Sequence, residues 1–185
     1  PMVAPFWADV DTRDANGGEA NGHVWMKLFG NVLAVTWDNV GYYNRHGDKL
    51  NSFQALISDG LEPTMGYGNN VCFCYESMEW TTGDITGSGG LGGVAATVGA
   101  NLGDGVEFFQ IGRFNETGIA YDGPNGNNDG IDYLDGKSFC FNTLKQCNVD
   151  RLDVETAIAS TVESGHFVAE WAVDRHLNSR WASYG

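Results

Sequence analysis

Hydrophobic and polar residues alternate along this chain in short runs of period two, interrupted by clusters of Gly, Asn and Asp. This is the pattern of strands that bury one face and turn sharply between them. Runs of this kind predict strands at 3–10, 23–29, 32–39, 52–58, 71–76, 94–101, 106–111 and 138–142. In Ser52-Phe-Gln-Ala-Leu-Ile57 the residues Phe53, Ala55 and Ile57 share one face, and Gln54 takes the other. Asn16-Gly17-Gly18, Asn21-Gly22, His46-Gly47-Asp48 and Gly103-Asp104-Gly105 supply turn chemistry that tolerates positive φ. The predicted class is mainly β, an antiparallel β-sandwich or a jelly-roll-like arrangement. No self-similar period marks a solenoid or propeller. Six glycines between Gly83 and Gly93 predict a mobile loop. That loop lacks the Gly-Lys-Ser/Thr ending of a phosphate cradle.

The pattern changes at Asp150. Leu152, Ile158 and Val162 share a helical face and Gly165 supplies a stop, which predicts one short helix near the C-terminal end. Phe167, Ala169, Trp171 and Val173 then alternate as a strand does, although Phe167 and Trp171 also fit a helical stripe. The chain is thus expected to hold a β domain over 1–148 and a helix-plus-strand extension over 149–185, packed on or exchanged with the same fold. Phe167, Trp171 and Val173 are the candidate interaction residues, able to add a strand to an exposed sheet edge.

Composition narrows the functional classes. With 42% hydrophobic and 12% aromatic residues over 185 positions, the chain can bury a core, and disorder is excluded. Ten Lys and Arg stand against 24 Asp and Glu, a formal charge of −14, so the positive field that nucleic acid requires is missing. The same charge repels an anionic bilayer, and apolar runs such as Val32 to Thr36 fall far short of the roughly 20 residues of a spanning helix, so no direct membrane insertion is expected. The chain opens at Pro1 without signal-peptide features, which leads us to expect a processed form or a fragment.

Four cysteines, Cys72, Cys74, Cys140 and Cys147, point to disulfides and an oxidising compartment. Cys72 and Cys74 lie at i and i+2 of a strand, on one face, where a direct bond is strained. Two arrangements stay open. Cys72 and Cys74 pair crosswise with Cys140 and Cys147, or Cys74 is a free core thiol while Cys140 and Cys147 close a short loop. The spacings do not match the paired Cys-x2-Cys of a zinc site.

An acidic, amide-rich stretch runs from Asp122 to Asp132. Asp122, Asn125, Asn127, Asp129 and Asp132 offer oxygens to a hard cation, with Gly130 at a sharp turn, so calcium is the candidate cofactor. The match to an EF-hand is incomplete, because the twelfth position from Asn125 is Gly136, and a string of Asx turns is the competing reading. Asp9 and Asp11 form a second candidate, for which local N–H donors or Arg13 offer an alternative partner. Catalytic signatures are missing, and the histidines fall on expected surface turns. A glycosidase pair at Glu76 and Glu79 is the weakest reading. Trp7, Trp25, Trp37, Tyr42, Tyr43 and Trp80 suit sugar stacking, but strand spacing assigns most of them to the core, and Phe6, Trp7, Trp37 and Phe53 are expected core anchors. Asn115-Glu-Thr117 is a glycosylation sequon.

Several stretches taken together resemble the nidogen-type extracellular domain, known as NIDO. They are Val3-Ala-Pro-Phe-Trp-Ala-Asp-Val-Asp-Thr12, Leu33-Ala-Val-Thr-Trp-Asp-Asn-Val-Gly-Tyr-Tyr43, Asn51-Ser-Phe-Gln-Ala55 with Asp59-Gly60, Phe73-Cys-Tyr75, Trp80-Thr-Thr-Gly83, Ala96-Thr-Val-Gly-Ala100 and Gly103-Asp-Gly105. They span roughly 3–115, and 121–142 looks similar to secreted microbial members, whereas 150–185 matches nothing we can place. The resemblance implies a β-rich, secreted or cell-surface module of cell-matrix adhesion and filamentous assemblies, with no catalytic residues to carry over. Its partners would be copies of itself or other extracellular proteins. A calcium-dependent, lectin-like module binding glycans is the alternative.

Overall fold

The computed structural model describes residues 1–15 and 22–143. Alternating runs become strands β1 (Met2–Trp7), β2 (Val10–Asp11), β3 (His23–Phe29), β4 (Val32–Tyr42), β5 (His46–Ile57), β6 (Val71–Met78), β7 (Ala96–Asn101), β8 (Phe108–Glu116), β9 (Asp129–Gly130) and β10 (Ser138–Phe141). They form two sheets. The smaller has the order β1-β7-β8-β9, with β8 and β9 parallel and the other pairs antiparallel. The larger runs β10-β6-β5-β4 in antiparallel register, and beyond β4 it divides. The short β2 pairs Gly41 and Tyr42, while β3 pairs Val32 to Asp38. The sandwich-like, mainly β class expected from the alternation is what the structure has.

The core lies between the sheets. Phe6 of β1 reaches across to Phe53 of β5 and to Trp80, with ring centroids 5.6 and 5.5 Å apart. Phe73, Tyr75, Val98, Ile111 and Phe114 complete the layer, as period-two patterning from two inner faces requires. Trp80 is fully buried, and its indole N–H donates to Val40 O at 2.9 Å. Asn51, also fully buried, satisfies three backbone groups: Nδ2 donates to Trp80 O at 2.9 Å, and Oδ1 accepts from Glu79 N at 2.7 Å and Trp80 N at 3.1 Å. A buried amide is tolerated only when its hydrogen bonds are met, and this one ties β5 to the end of β6. A smaller cluster of Val32, Met65 and Cys72, with Leu56 against it, packs on the other face under the 3-10 turn Pro63–Met65.

Sequence and structure part company in several places. β4 and β5 run on to a tight hairpin at Tyr42 and His46, past the predicted ends at 39 and 52. The predicted strand at 3–10 breaks into β1 and β2 around Ala8 and Asp9. β9 is two residues long and carries no alternation to read. The glycine-rich stretch, expected as a mobile loop, is bonded at many points. Gly90 O accepts from both Thr81 N and Thr82 N, Thr82 Oγ1 donates to Gly92 O and Val94 O, and Gly92 N donates to Asn115 O. Gly90 is there for close approach: a Cβ on it would lie 2.9 Å from Trp80 Cβ. The predicted helix, and Phe167, Trp171 and Val173, lie outside the described residues.

Candidate functional site

Antiparallel partners point to the same face, so the register of the larger sheet defines an inner row on each strand. Phe53 and Ala55 of β5 lie in the core, opposite Trp37 and Val35 of β4, which lie opposite Val24 and Met26 of β3. Leu28 follows in the same row, opposite Leu33. Burial falls off along this series. Phe53 and Ala55 are 3% exposed, Trp37 and Val35 are half-buried, and Met26 and Leu28 reach 75% and 72%. The other face of β3 carries Trp25, Lys27 and Phe29, also exposed. Every residue of β3 is exposed, so five of its seven positions present large apolar side chains to solvent. Alternation predicted the strand correctly and its burial incorrectly, because the inner row continues beyond the cover of the smaller sheet.

A second exposed aromatic is Trp7 at the end of β1. Expected as a core anchor, it is 63% exposed, while Phe6 turns inward. A bulge in the β1–β7 pairing between Ala4 and Trp7 re-aims the strand there. Trp7 stands between two clefts. One, of about 360 Å³, is lined by Asp9, Thr81, Thr82, Ile85 and Val94. The other, of about 310 Å³, runs over Gly99 beside Phe108, Phe109 and Gln110. Of the other candidate aromatics, Trp25 is exposed, Trp37 stacks on Phe53 at 4.8 Å, and Tyr42 and Trp80 are core.

The Asp122 to Asp132 stretch is largely self-satisfied. Asp129 is buried and accepts from Arg113 N at 2.9 Å and Asp122 N at 3.1 Å. Asn127 Oδ1 accepts from Arg113 Nη1 at 2.7 Å, and Asp132 Oδ2 from Gly118 N at 3.1 Å. Asn125 is exposed. Of the five predicted oxygens, then, the loop brings the Asp122 and Asp129 carboxyls together and engages two others elsewhere. The Asp122 carboxylate packs over Gly126, where a Cβ would lie 1.5 Å from Oδ1 and would push that side chain aside. Burial pushes the Asp129 carboxyl above the usual range, the neighbouring Asp122 adds to that, and the two backbone N–H donors pull the other way.

Asp9 and Asp11 diverge in role. Asp11 is buried and takes Arg13 as a fork, Nε to Oδ1 at 2.8 Å and Nη2 to Oδ2 at 2.6 Å, with Arg45 N also donating to Oδ2 at 3.1 Å. The Arg13 hydrogen bonds hold its pKa down at about 2, against the opposing effect of burial. Asp9 remains exposed on the wall of the larger cleft. Among the described residues, no three His, Cys, Asp or Glu are arranged to hold a metal ion.

Cys72 and Cys140 are disulfide-bonded, directly opposite each other across β6 and β10. This overturns the short Cys140–Cys147 loop. Cys74 is a free thiol pushed above its usual range by burial, and Cys147 lies outside the described residues. Asn115 donates through Nδ2, the atom a glycan would occupy, to Asn128 Oδ1 at 2.9 Å. Glu79 accepts from Leu50 N at 2.8 Å, and Glu76 is solvent-exposed.

Sequence reasoning missed one cluster. His46 Nε2 lies 2.5 Å from Asp84 Oδ2, its Nδ1 lies 3.7 Å from Asp48 Oδ1, and its ring stacks on Tyr42 at 4.7 Å. Tyr42 Oη donates to Asp48 Oδ1 at 2.9 Å, and burial raises its pKa far above the ordinary phenol range. The cluster fastens the β4–β5 hairpin to the glycine-rich stretch. His46 and Asp84 are 38 positions apart, so no local pattern announces them.

Comparison with known proteins places these features. The nidogen-like domain matches residues 29–131. Alpha-tectorin of Homo sapiens is 35% identical over 136 residues, 60% of this chain and 6% of that protein. Alpha-tectorin of Mus musculus is 33% identical over 134 residues, with the same coverage, and that of Gallus gallus is 39% identical over 85 residues, 43% of this chain and 4% of that protein. The chain therefore spans only a small fraction of the length of these relatives. No solved structure matches it at a significant level.

Proposed function

Because the chain belongs to the nidogen-like domain family, we infer that it is a non-catalytic structural or adhesive module, secreted or displayed at a cell surface, that works through protein–protein contacts in a matrix or filamentous assembly. The observation that carries this reading is β3, whose exposed apolar side chains continue the core face of the larger sheet. Exposed contiguous apolar surface marks interaction sites. A disulfide closing 68 residues suits an oxidising compartment, and no helix among the described residues is long and apolar enough to cross a membrane. The partners are other copies of the chain or other extracellular proteins. Light scattering with negative-stain imaging of the full chain tests the reading. Ordered polymers or defined oligomers are expected, alone or on mixing with matrix proteins. A monodisperse chain that binds neither itself nor purified matrix components overturns it.

Trp7 favours a second reading, a carbohydrate-binding module. An exposed indole between two clefts with threonine and carboxylate walls suits stacking on a sugar ring. Calcium belongs to this reading through Asp122 and Asp129, where a cation would relieve two carboxylates held together. A glycan array with calcium present and a melt with and without chelator test it. A blank array and an unchanged melt remove both sugar and metal.

A further inference from the structure

Resting on the adhesive reading, we propose that β3 is a homotypic interface, in which two copies of this chain pair their β3 strands antiparallel about a two-fold axis at Met26. β3 carries His23 and Lys27 and no carboxylate, in a chain whose formal charge is −14. It therefore brings no carboxylate of its own to a contact between two such chains. Its pairing edge away from β4 has no partner strand among the described residues. An unpaired edge of seven exposed residues is a template for strand addition.

Symmetry restricts the register. A continuous sheet that keeps both core faces on one side must place the axis on a residue, since side chains directly opposite share a face. Met26 is the middle residue of β3, so an axis there pairs all seven positions. Val24 then meets Leu28 and Met26 meets its own copy on the core face. On the other face Lys27 lies against Trp25, twice, and His23 against Phe29 at each end. The lysine thus faces an indole that is 57% exposed, a cation–π arrangement. An axis at Lys27 would oppose two lysines, and one at Trp25 would oppose Lys27 to His23. The charge on β3 therefore selects the same register that its length selects. One strand pair buries less than the roughly 800 Å² per partner of a standard interface, so the association is weak and needs chain concentrations on the order of 100 µM.

The test uses the full chain carrying Cys74→Ser and Cys147→Ser as background, so that the only thiol is the one introduced. Sedimentation across a concentration series should show a reversible dimer that Met26→Asp abolishes, with unchanged thermal melting because residue 26 is exposed. Under mild oxidation Met26→Cys should crosslink readily. Lys27→Cys, whose copies would sit diagonally about 7–8 Å apart, should crosslink poorly. A dimer that survives Met26→Asp, or one crosslinked better through residue 27, overturns the pairing and leaves the adhesive reading standing. A monomer at all concentrations overturns the pairing too, and so does a thiol at 26 shielded from labelling in the monomer, since another segment of the same chain then covers β3. The absence of any partner, self or matrix, would bring down both readings.

Discussion

The middle of the larger sheet and its β3 edge are built from the same kind of sequence and have opposite surroundings. At β5 and β6 the inner residues Phe53, Ala55, Phe73 and Tyr75 are closed over by Phe6, Val98 and Ile111 of the smaller sheet. At β3, Val24, Met26 and Leu28 continue the same row with the same alternation and meet no covering strand among the described residues. Apolar periodicity states which face of a strand is to be buried. The partner that buries it is set elsewhere, and on this chain it belongs to the fold in the middle of the sheet and, by our proposal, to a second molecule at the β3 edge.

The sharpest way to break that contrast is to cut into the closed middle. Trp80→Ala should cost toward the upper end of about 3–5 kcal/mol, since it empties a fully enclosed site and leaves Val40 O without its donor. Denaturant unfolding reads it, and a loss under about 1 kcal/mol would mean that the core is elsewhere. Replacing Cys72 and Cys140 together by Ser should cost roughly 4 kcal/mol from the closure of a 68-residue separation, and reducing agent should lower the melting temperature of the parent but not of the variant.

Acid offers a finer probe. Asp11 has a folded pKa of about 2 against an ordinary 3.8, so its pairing with Arg13 stabilises the fold fully above about pH 4 and is lost as pH falls from there through 2. Arg13 is half-exposed, so screening by solvent reduces this contribution to a small one. Asp11→Asn should remove that slope, and a variant with unaltered acid sensitivity would assign it to other carboxylates. Asp129 works in the opposite sense. Its raised pKa means that it favours the fold when protonated, a contribution lost as pH rises. The smallest effect is expected at the open edge, where Met26→Ser should change the stability of the monomer by less than about 0.5 kcal/mol. A loss of 2 kcal/mol would show that β3 is buried within the chain itself.

What could be read in the sequence followed from local rules. The limits of β3 are those the alternation gives, and Arg13, two positions from Asp11, was available as a local partner. Trp7 and Phe6 had equal claims on the core, and a bulge in the pairing with β7 decided between them, which no neighbour in sequence reveals. The Cys72–Cys140 bond needed the pairing of β6 with β10. The oxygens from Asp122 to Asp132 read as a candidate cation shell because composition records what a side chain can accept. It does not record that Arg113 and the Gly118 amide arrive first. The His46 and Asp84 contact joins a hairpin to a distant loop and becomes visible only once both are folded.

The disulfide also sets how the chain would carry tension. Cys140 lies in the last strand described, so a pull applied beyond it loads the pairing of Phe141, then passes along a covalent path to Cys72 and bypasses the hydrogen bonds of Ser138 and Phe139. The 68 residues of separation are taken out of the force path, which hides roughly 230 Å of extensible chain. Stretched from its ends, the oxidised domain can yield from the β1 to β5 side while the bonded half stays short, so a filament built from such units would have a built-in limit on how far each link lengthens.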